Sequence, residues 1–265
     1  MIRYIYIILL CSTIISCEPA DFFSLRKGEV KNSVFINAKK NTDGSIHFHT
    51  ATHFGASNQQ VGDHYSFFAN LLVNDAKLSM GLLHLNDITF SQDHQGSYYA
   101  YEMRKNNKMG ELFGDTVIFT LEGNNNVEVT KHSLYIPQEI QLSAPIHQSD
   151  TSLQPLSRNG DIVKWNMDAK NEIGVAIIIR WSGMINDPSV SYLDNHLIKE
   201  NVANYEIVKD DGEHILDASF FDNIPKNAII TLEVYRGNCE IIKTNGYNIK
   251  LGGYSESNSF YLLSE

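Results

Sequence analysis

The chain has 265 residues, 43% of them hydrophobic and 20% charged, which excludes wholesale disorder and allows one or two globular domains. Its 21 basic residues stand against 31 acidic ones, a formal charge of −10. That excess repels phosphate backbones, and no basic stripe offsets it, so nucleic acid is excluded as an expected partner.

The first segment carries an address. Arg3 supplies positive charge, and Tyr4 to Ile15 is a nearly unbroken apolar run. As a helix these residues reach roughly 18 Å, well short of the ~30 Å hydrocarbon core of a bilayer. The run suits the apolar region of a secretory signal peptide rather than a membrane span. It ends in Ile14-Ile15-Ser16-Cys17. This ending resembles the lipobox of bacterial lipoproteins. The resemblance implies cleavage before Cys17, acylation of its thiol and attachment to the membrane through that lipid. Each buried acyl CH₂ contributes ~0.8 kcal/mol, and two or three chains make a stable anchor. In that family an Asp after the Cys goes with inner-membrane retention; Glu18 stands there instead, so the resemblance favours the outer membrane.

Cysteine usage agrees with this reading. Cys11 leaves with the signal peptide and Cys17 takes the lipid, so Cys239 remains alone and no internal disulfide is expected. Residues 17–32 have mixed charge, a Pro and no periodicity, and read as a tether of at most ~50 Å.

Strand signals follow. Val34 to Asn37 is the first, and the turn Asn41-Thr42-Asp43-Gly44 leads into an alternating strand from Ser45 to Thr50. Ser66–Val73 and Lys77–Leu85 are apolar runs joined at Asn74-Asp75, a hairpin spacing. Tyr98–Met103 and Thr116–Leu121 are further strands. Pro137, Pro145 and Pro155 sit among Ser, Gln and Thr, which places a linker at 138–158 between an N-terminal domain (33–137) and a C-terminal one (159–265).

In the second half, Val175, Ile177, Ile179 and Trp181 share one strand face while Ala176 and Ile178 make the other apolar. That pattern predicts a strand covered on both sides. Ala228–Arg236 alternates, and Asn245-Gly246 predicts a two-residue hairpin joining Cys239–Lys243 to Tyr247–Leu251. Ser259–Leu263 is the last strand. The predicted fold is all-β: two tandem sandwiches of immunoglobulin or fibronectin-III type behind a signal peptide and tether. Lys164-Trp165-Asn166 and the pattern Asp211-Gly212, Ile224-Pro225, Arg236-Gly237-Asn238 loosely resemble C-terminal sandwich domains of Bacteroidota envelope lipoproteins, a likeness that bears on fold alone.

Candidate sites are few. Six of the ten His fall between His47 and His94. His47 and His49 share a strand face about 7 Å apart, a spacing at which two imidazoles can hold one Zn²⁺; the alternative is a plain solvent face opposite Ile46 and Phe48. Asn166, Asp168, Asn171, Asp210 and Asp211 are oxygen ligands of the kind Ca²⁺ needs, and also ordinary turn residues. Tyr99 and Tyr101 share a face and offer aromatic rings to a glycan or protein ligand, against a bland role in sheet packing. No nucleophile elbow, phosphate loop or CxxC is present, so neither a catalytic residue nor a bound cofactor is expected. The leading expectation is a non-catalytic ligand-binding or adhesion lipoprotein. A structural subunit of an envelope complex ranks second and a surface hydrolase third.

Overall fold

The computed structural model describes residues 42–54, 60–74, 76–94, 96–103, 108–145, 153–186 and 202–264. The signal segment, Cys17, the tether and the strand expected at 34–37 lie outside the described residues.

The described residues are built mainly of strands: β1 (Gly44–Phe54), β2 (Gln60–Val73), β3 (Ala76–Lys77), β4 (Leu83–Leu85), β5 (Ile88–Phe90), β6 (Tyr98–Met103), β7 (Asp115–Leu121), β8 (Thr130–Ile136), β9 (Leu142–Ala144), β10 (Gln154–Ser157), β11 (Ile162–Trp165), β12 (Val175–Ile185), β13 (Val202–Val208), β14 (Glu213–Ile215), β15 (Ala228–Thr244) and β16 (Tyr247–Ser264). The all-β expectation therefore holds. Among the described residues two short 3-10 turns, Met109–Leu112 and Ala218–Phe221, lie between strands.

A nine-stranded sheet forms the backbone of the fold, in the order β13-β12-β15-β16-β1-β2-β3, with β10 also on β16 and β6 also on β2. Two small sheets, β5-β4-β7-β8 and β14-β11-β9, accompany it. Ile46 and Phe48 of β1, Phe67 and Leu71 of β2 and Ile249 and Leu251 of β16 pack with Val117, Phe119 and Leu134 of the four-stranded sheet in one core. Val175, Ile177, Ile179, Ile230, Leu232, Val234, Tyr261 and Leu263 pack with Val163 and Trp165 of the three-stranded sheet in a second.

Local signals account for much of this. Asn245 and Gly246 take φ values of 47° and 84°, the double left-handed turn that suits a tight hairpin. The hairpin is far longer than the expected Cys239–Leu251 piece, with register from Ile229↔Leu262 to Thr244↔Tyr247. β12 buries Val175, Ile177 and Ile179 on one face while Ala176 and Ile178 are buried on the other, as its two-sided apolar pattern requires. The run 77–85 departs from expectation. It leaves the large sheet after Lys77 and enters the small one at Leu83. Between them Gly81 has φ +81°, and a Cβ there would meet the Gly123 carbonyl oxygen at 2.4 Å. That close approach bends the run from one sheet to the other.

The seam expected at 138–158 marks a change of core: Ile136 belongs to the first and Ile140 to the second. It does not divide the sheets. β15 and β16 contribute Ile230, Leu232, Tyr261 and Leu263 to the second core and Ile249 and Leu251 to the first. β16 also pairs along β1, some 200 residues earlier in the chain. Hydrogen bonds from Thr130 to Thr244 (3.0 Å) and between His132 and Glu240 (2.8 Å) tie β8 to the hairpin. Independent tandem domains would each keep their own strands; here one hairpin serves two cores.

This sharing has a direct test, because both tryptophans, Trp165 and Trp181, report on the second core. Leu251→Ala removes a fully buried side chain from the first core and is expected to cost about 2–5 kcal/mol. The tryptophan-monitored urea midpoint is expected to fall by the corresponding amount. A midpoint identical to wild type would mean that the two cores unfold separately.

Candidate functional site

Strand register decides which candidate residues meet. On β1 the core-facing positions are Ile46 and Phe48, so His47 and His49 take the opposite, outer face of the large sheet. Across the sheet His47 pairs with Phe68 and His49 with Ser66 on β2, which in turn pair with Tyr99 and Tyr101 on β6. On the other side His49 pairs with Tyr254 of β16. The outer face thus carries the rows Tyr101–Ser66–His49–Tyr254 and Tyr99–Phe68–His47, with His64 beside the first.

These rings touch. His49 lies flat against Tyr254, with centroids 5.1 Å apart and planes within 4°. His47 stacks on the same tyrosine at 6.2 Å and tilts against Phe68 at 5.6 Å. His64 stacks on Tyr101 at 4.9 Å and meets His49 edge-on at 6.1 Å. Ser66 Oγ sits 2.9 Å from His49 Nδ1. Tyr99 and Tyr101 remain 62% and 51% exposed and Tyr254 is half-buried, so the strip opens to solvent towards β6. Among the described residues β6 pairs with β2 alone.

The zinc expectation at His47 and His49 finds the two imidazoles brought together on one face as predicted, but both are packed on one tyrosine ring. Among the described residues no three His, Cys, Asp or Glu side chains come close enough to hold a metal ion. His47 is held well below its ordinary range, from 6.5 to about 3, first by desolvation and then by the charges of His49 and Lys250.

The oxygen-rich residues of the second half are also brought together, and they bind the protein itself. Asp210 and Arg236 form a fully buried ion pair at 2.7 Å. The Asp210 carboxylate also accepts from Trp165 Nε1 (2.8 Å) and Asn171 Nδ2 (2.9 Å). Arg236 further donates to the carbonyl oxygens of Asn166 and Gln138. Asp168 accepts from the Tyr135 hydroxyl (2.7 Å) and from the backbone N–H groups of Gln138 (2.8 Å) and Lys170 (3.0 Å). Burial would raise its pKa; those hydrogen bonds and the Arg236 charge outweigh burial and lower it. These donors engage the Asp168 and Asp210 carboxylate oxygens from within the protein, the same oxygens a Ca²⁺ ion would take. Asp211 points outward instead, into a shallow open hollow of about 400 Å³ with Trp165, Met167, Gly212 and Glu213.

A second buried polar group was not legible as such. Glu233 and Tyr235 alternate with the core residues of β15, and both are buried, Glu233 at 8% and Tyr235 at 1% exposed. Arg180 grips Glu233 through two hydrogen bonds of 2.8 and 3.1 Å, and Tyr235 donates to it at 3.2 Å. Glu256, also buried, accepts from Asn258 at 2.6 Å. The signal available was β12, which pairs edge to edge with β15 and whose two-sided apolar pattern implies that both faces of the sheet are covered there. Cys239 is buried, and burial raises its thiol pKa, which keeps it in the inert protonated form.

Neither protein-family models nor curated proteins match this sequence. Among solved structures, the chain is similar to the yeast delta-COP-I mu-homology domain, with a TM-score of 0.28 and 10% identity over 83% of this chain and 97% of that one. The same yeast domain complexed with the Dsl1 WxWxV peptide gives a TM-score of 0.27 and 11% identity over the same shares. Likeness at that level carries no argument about this chain.

Two measurements check the site. Arg236→Met strands the buried Asp210 carboxylate and is expected to lower stability by about 3–5 kcal/mol; a loss below about 1 kcal/mol would contradict the buried pair. The second is acid titration of stability. Because folded His47 resists a proton that the unfolded chain accepts, its contribution is fully present above pH 6.5 and is lost as the pH falls towards 3. His47→Gln is expected to flatten that part of the stability–pH curve. A curve of unchanged slope in the variant would show that His47 titrates normally.

Proposed function

We propose that this protein is a lipid-anchored, non-catalytic binding protein of the bacterial envelope, held in the outer membrane through acylated Cys17. Its ligand-binding surface is the open end of the aromatic strip at Tyr99 and Tyr101. The finer architecture belongs to the same proposal: two sandwich lobes of immunoglobulin or fibronectin-III type that share a hairpin.

The observation that carries the binding half is the exposure of two large aromatic rings, on one strand and one face, backed by the His64 stack. Tyr faces offer apolar area with a polar tip and lose little entropy on binding, which suits a sugar ring. The overall charge of −10 favours a neutral glycan over an anionic one. The anchoring half rests on the twelve-residue apolar run and the Ile14-Ile15-Ser16-Cys17 ending. Among the described residues no helix is long and apolar enough to cross a membrane.

A structural-subunit reading draws on a different feature. Ile162 and Ile215 pair across β11 and β14 and are 39% and 59% exposed, with Met167 nearby on the rim of the hollow at 61%. Such side chains suit a protein partner rather than a sugar.

The test uses labelled palmitate and affinity electrophoresis through gels cast with neutral polysaccharides. Label is expected in the full chain and absent from Cys17→Ala. Tyr99→Ala with Tyr101→Ala is expected to weaken retardation about tenfold or more, equivalent to ~1.4 kcal/mol, with the melting temperature unchanged. Retention of label by Cys17→Ala defeats the anchor. Retardation indifferent to the double variant defeats the binding surface, and stoichiometric co-purification lost in Ile162→Asp or Ile215→Asp favours the structural-subunit reading.

A further inference from the structure

The first and last strands of the described chain lie side by side. β1 pairs with β16 in parallel, in unbroken register from Gly44↔Ile249 to Phe54↔Ser259, over all 11 residues of β1. Its other edge pairs with β2, antiparallel, from Gly44↔Leu71 to Phe54↔Gln60. β1 is thus a central strand bonded along both edges. Its inner side chains Ile46 and Phe48 are each 1% exposed in the first core, and its outer His47 and His49 are stacked on Tyr254.

Direction matters as much as the number of bonds. In a parallel pair, force that enters at the start of one strand and leaves at the end of the other runs along both strands, in opposite senses. The load then falls on every evenly spaced hydrogen bond at once. Force applied to two strands at the same end falls on one rung at a time and peels them. Here the chain enters β1 at Gly44 and runs out through Ser264 at the far end of β16, so tension between the two ends is a shear. Sliding β1 out also breaks its register with β2 and withdraws Ile46 and Phe48 from the core.

From this arrangement we infer that β1, clamped between β16 and β2, is a mechanical clamp that lets the folded protein carry tension between its N-terminal and C-terminal ends. The source of such tension in the cell rests on the proposed anchor at Cys17, because a protein leashed at its N-terminus transmits through β1 whatever pull its body receives. The clamp itself does not depend on the lipid. It stores resistance as an unfolding barrier, the quantity that governs forced unfolding.

Single-molecule pulling on the full-length chain tests the inference without altering a core residue. One arrangement places handles at the two termini and loads β1 against β16 in shear. The other keeps the N-terminal handle and moves the second to a bio-orthogonal amino acid in place of Lys243. Lys243 is exposed and pairs with Asn248, beside the Asp43–Asn248 backbone bond (2.8 Å) at the end where β1 begins. That arrangement peels. Pulling by the termini is expected to require at least roughly twofold more force at the same loading rate, because forced unfolding follows the barrier met along each direction. Equal forces in the two arrangements, or a lower force through the termini, would overturn the clamp. The palmitate experiment reports on the anchor separately, so failure of either claim is visible on its own.

Discussion

The structure depends on one strand pair doing service in two cores. The β15–β16 hairpin is long enough to leave one apolar interior and enter another, and something must occupy the inner face at the crossing. Arg236 does so. It follows Ile230, Leu232 and Val234 on the core side of β15, at a point where neither hydrophobic cluster continues. Its guanidinium meets Asp210 and the carbonyl oxygens of Asn166 and Gln138, so the loops that close both lobes are tied to one cation. A buried pair of this kind adds little net stability compared with apolar packing, and removing one partner is costly. Its contribution here is positional: it fixes where the hairpin changes cores and which loops meet there.

The same economy of polar groups governs the oxygen-rich loops described in the second half. Asp168, Asn171 and Asp210 have their oxygens engaged by Tyr135, Trp165, Arg236 and backbone N–H groups. Buried polar atoms are costly unless paired, and the fold pairs them internally. On the outer face of the large sheet, Arg180, Glu233 and Tyr235 satisfy one another in the same way. At the β6 end the rule relaxes. Tyr99 and Tyr101 are exposed, and that difference is what directs the functional proposal to them.

How much of this was legible in the sequence follows from the range of each interaction. Asn245-Gly246 announced its turn because two adjacent residues with positive φ suffice to make it. β12 and β6 were legible because a strand's two faces are written in alternate residues. The shared hairpin was not, because the pairing of β1 with β16 joins segments 200 residues apart and leaves no local period. The proline-rich seam marks a change of core, and it could not disclose that a later hairpin contributes to both cores. The pairing of His47 with His49 on one face was visible from parity alone; the tyrosine of β16 that packs against both was not, since its register with β1 is non-local. The burial of Glu233 was illegible for the same reason: alternation reports a face, never what lies against it.

If one hairpin joins the two cores into a single cooperative unit, its backbone has no place to open partway. Native-state hydrogen exchange along β15 measures this directly. Amides of Ile230, Leu232 and Val234, in the second core, are expected to share one opening free energy with those of Glu240 and Ile242 beside the first, all of which face β16 in the hairpin. That common value should equal the free energy of global unfolding. Two separate plateaus, with the step near Arg236, would show that the hairpin is divided and the cores are independent.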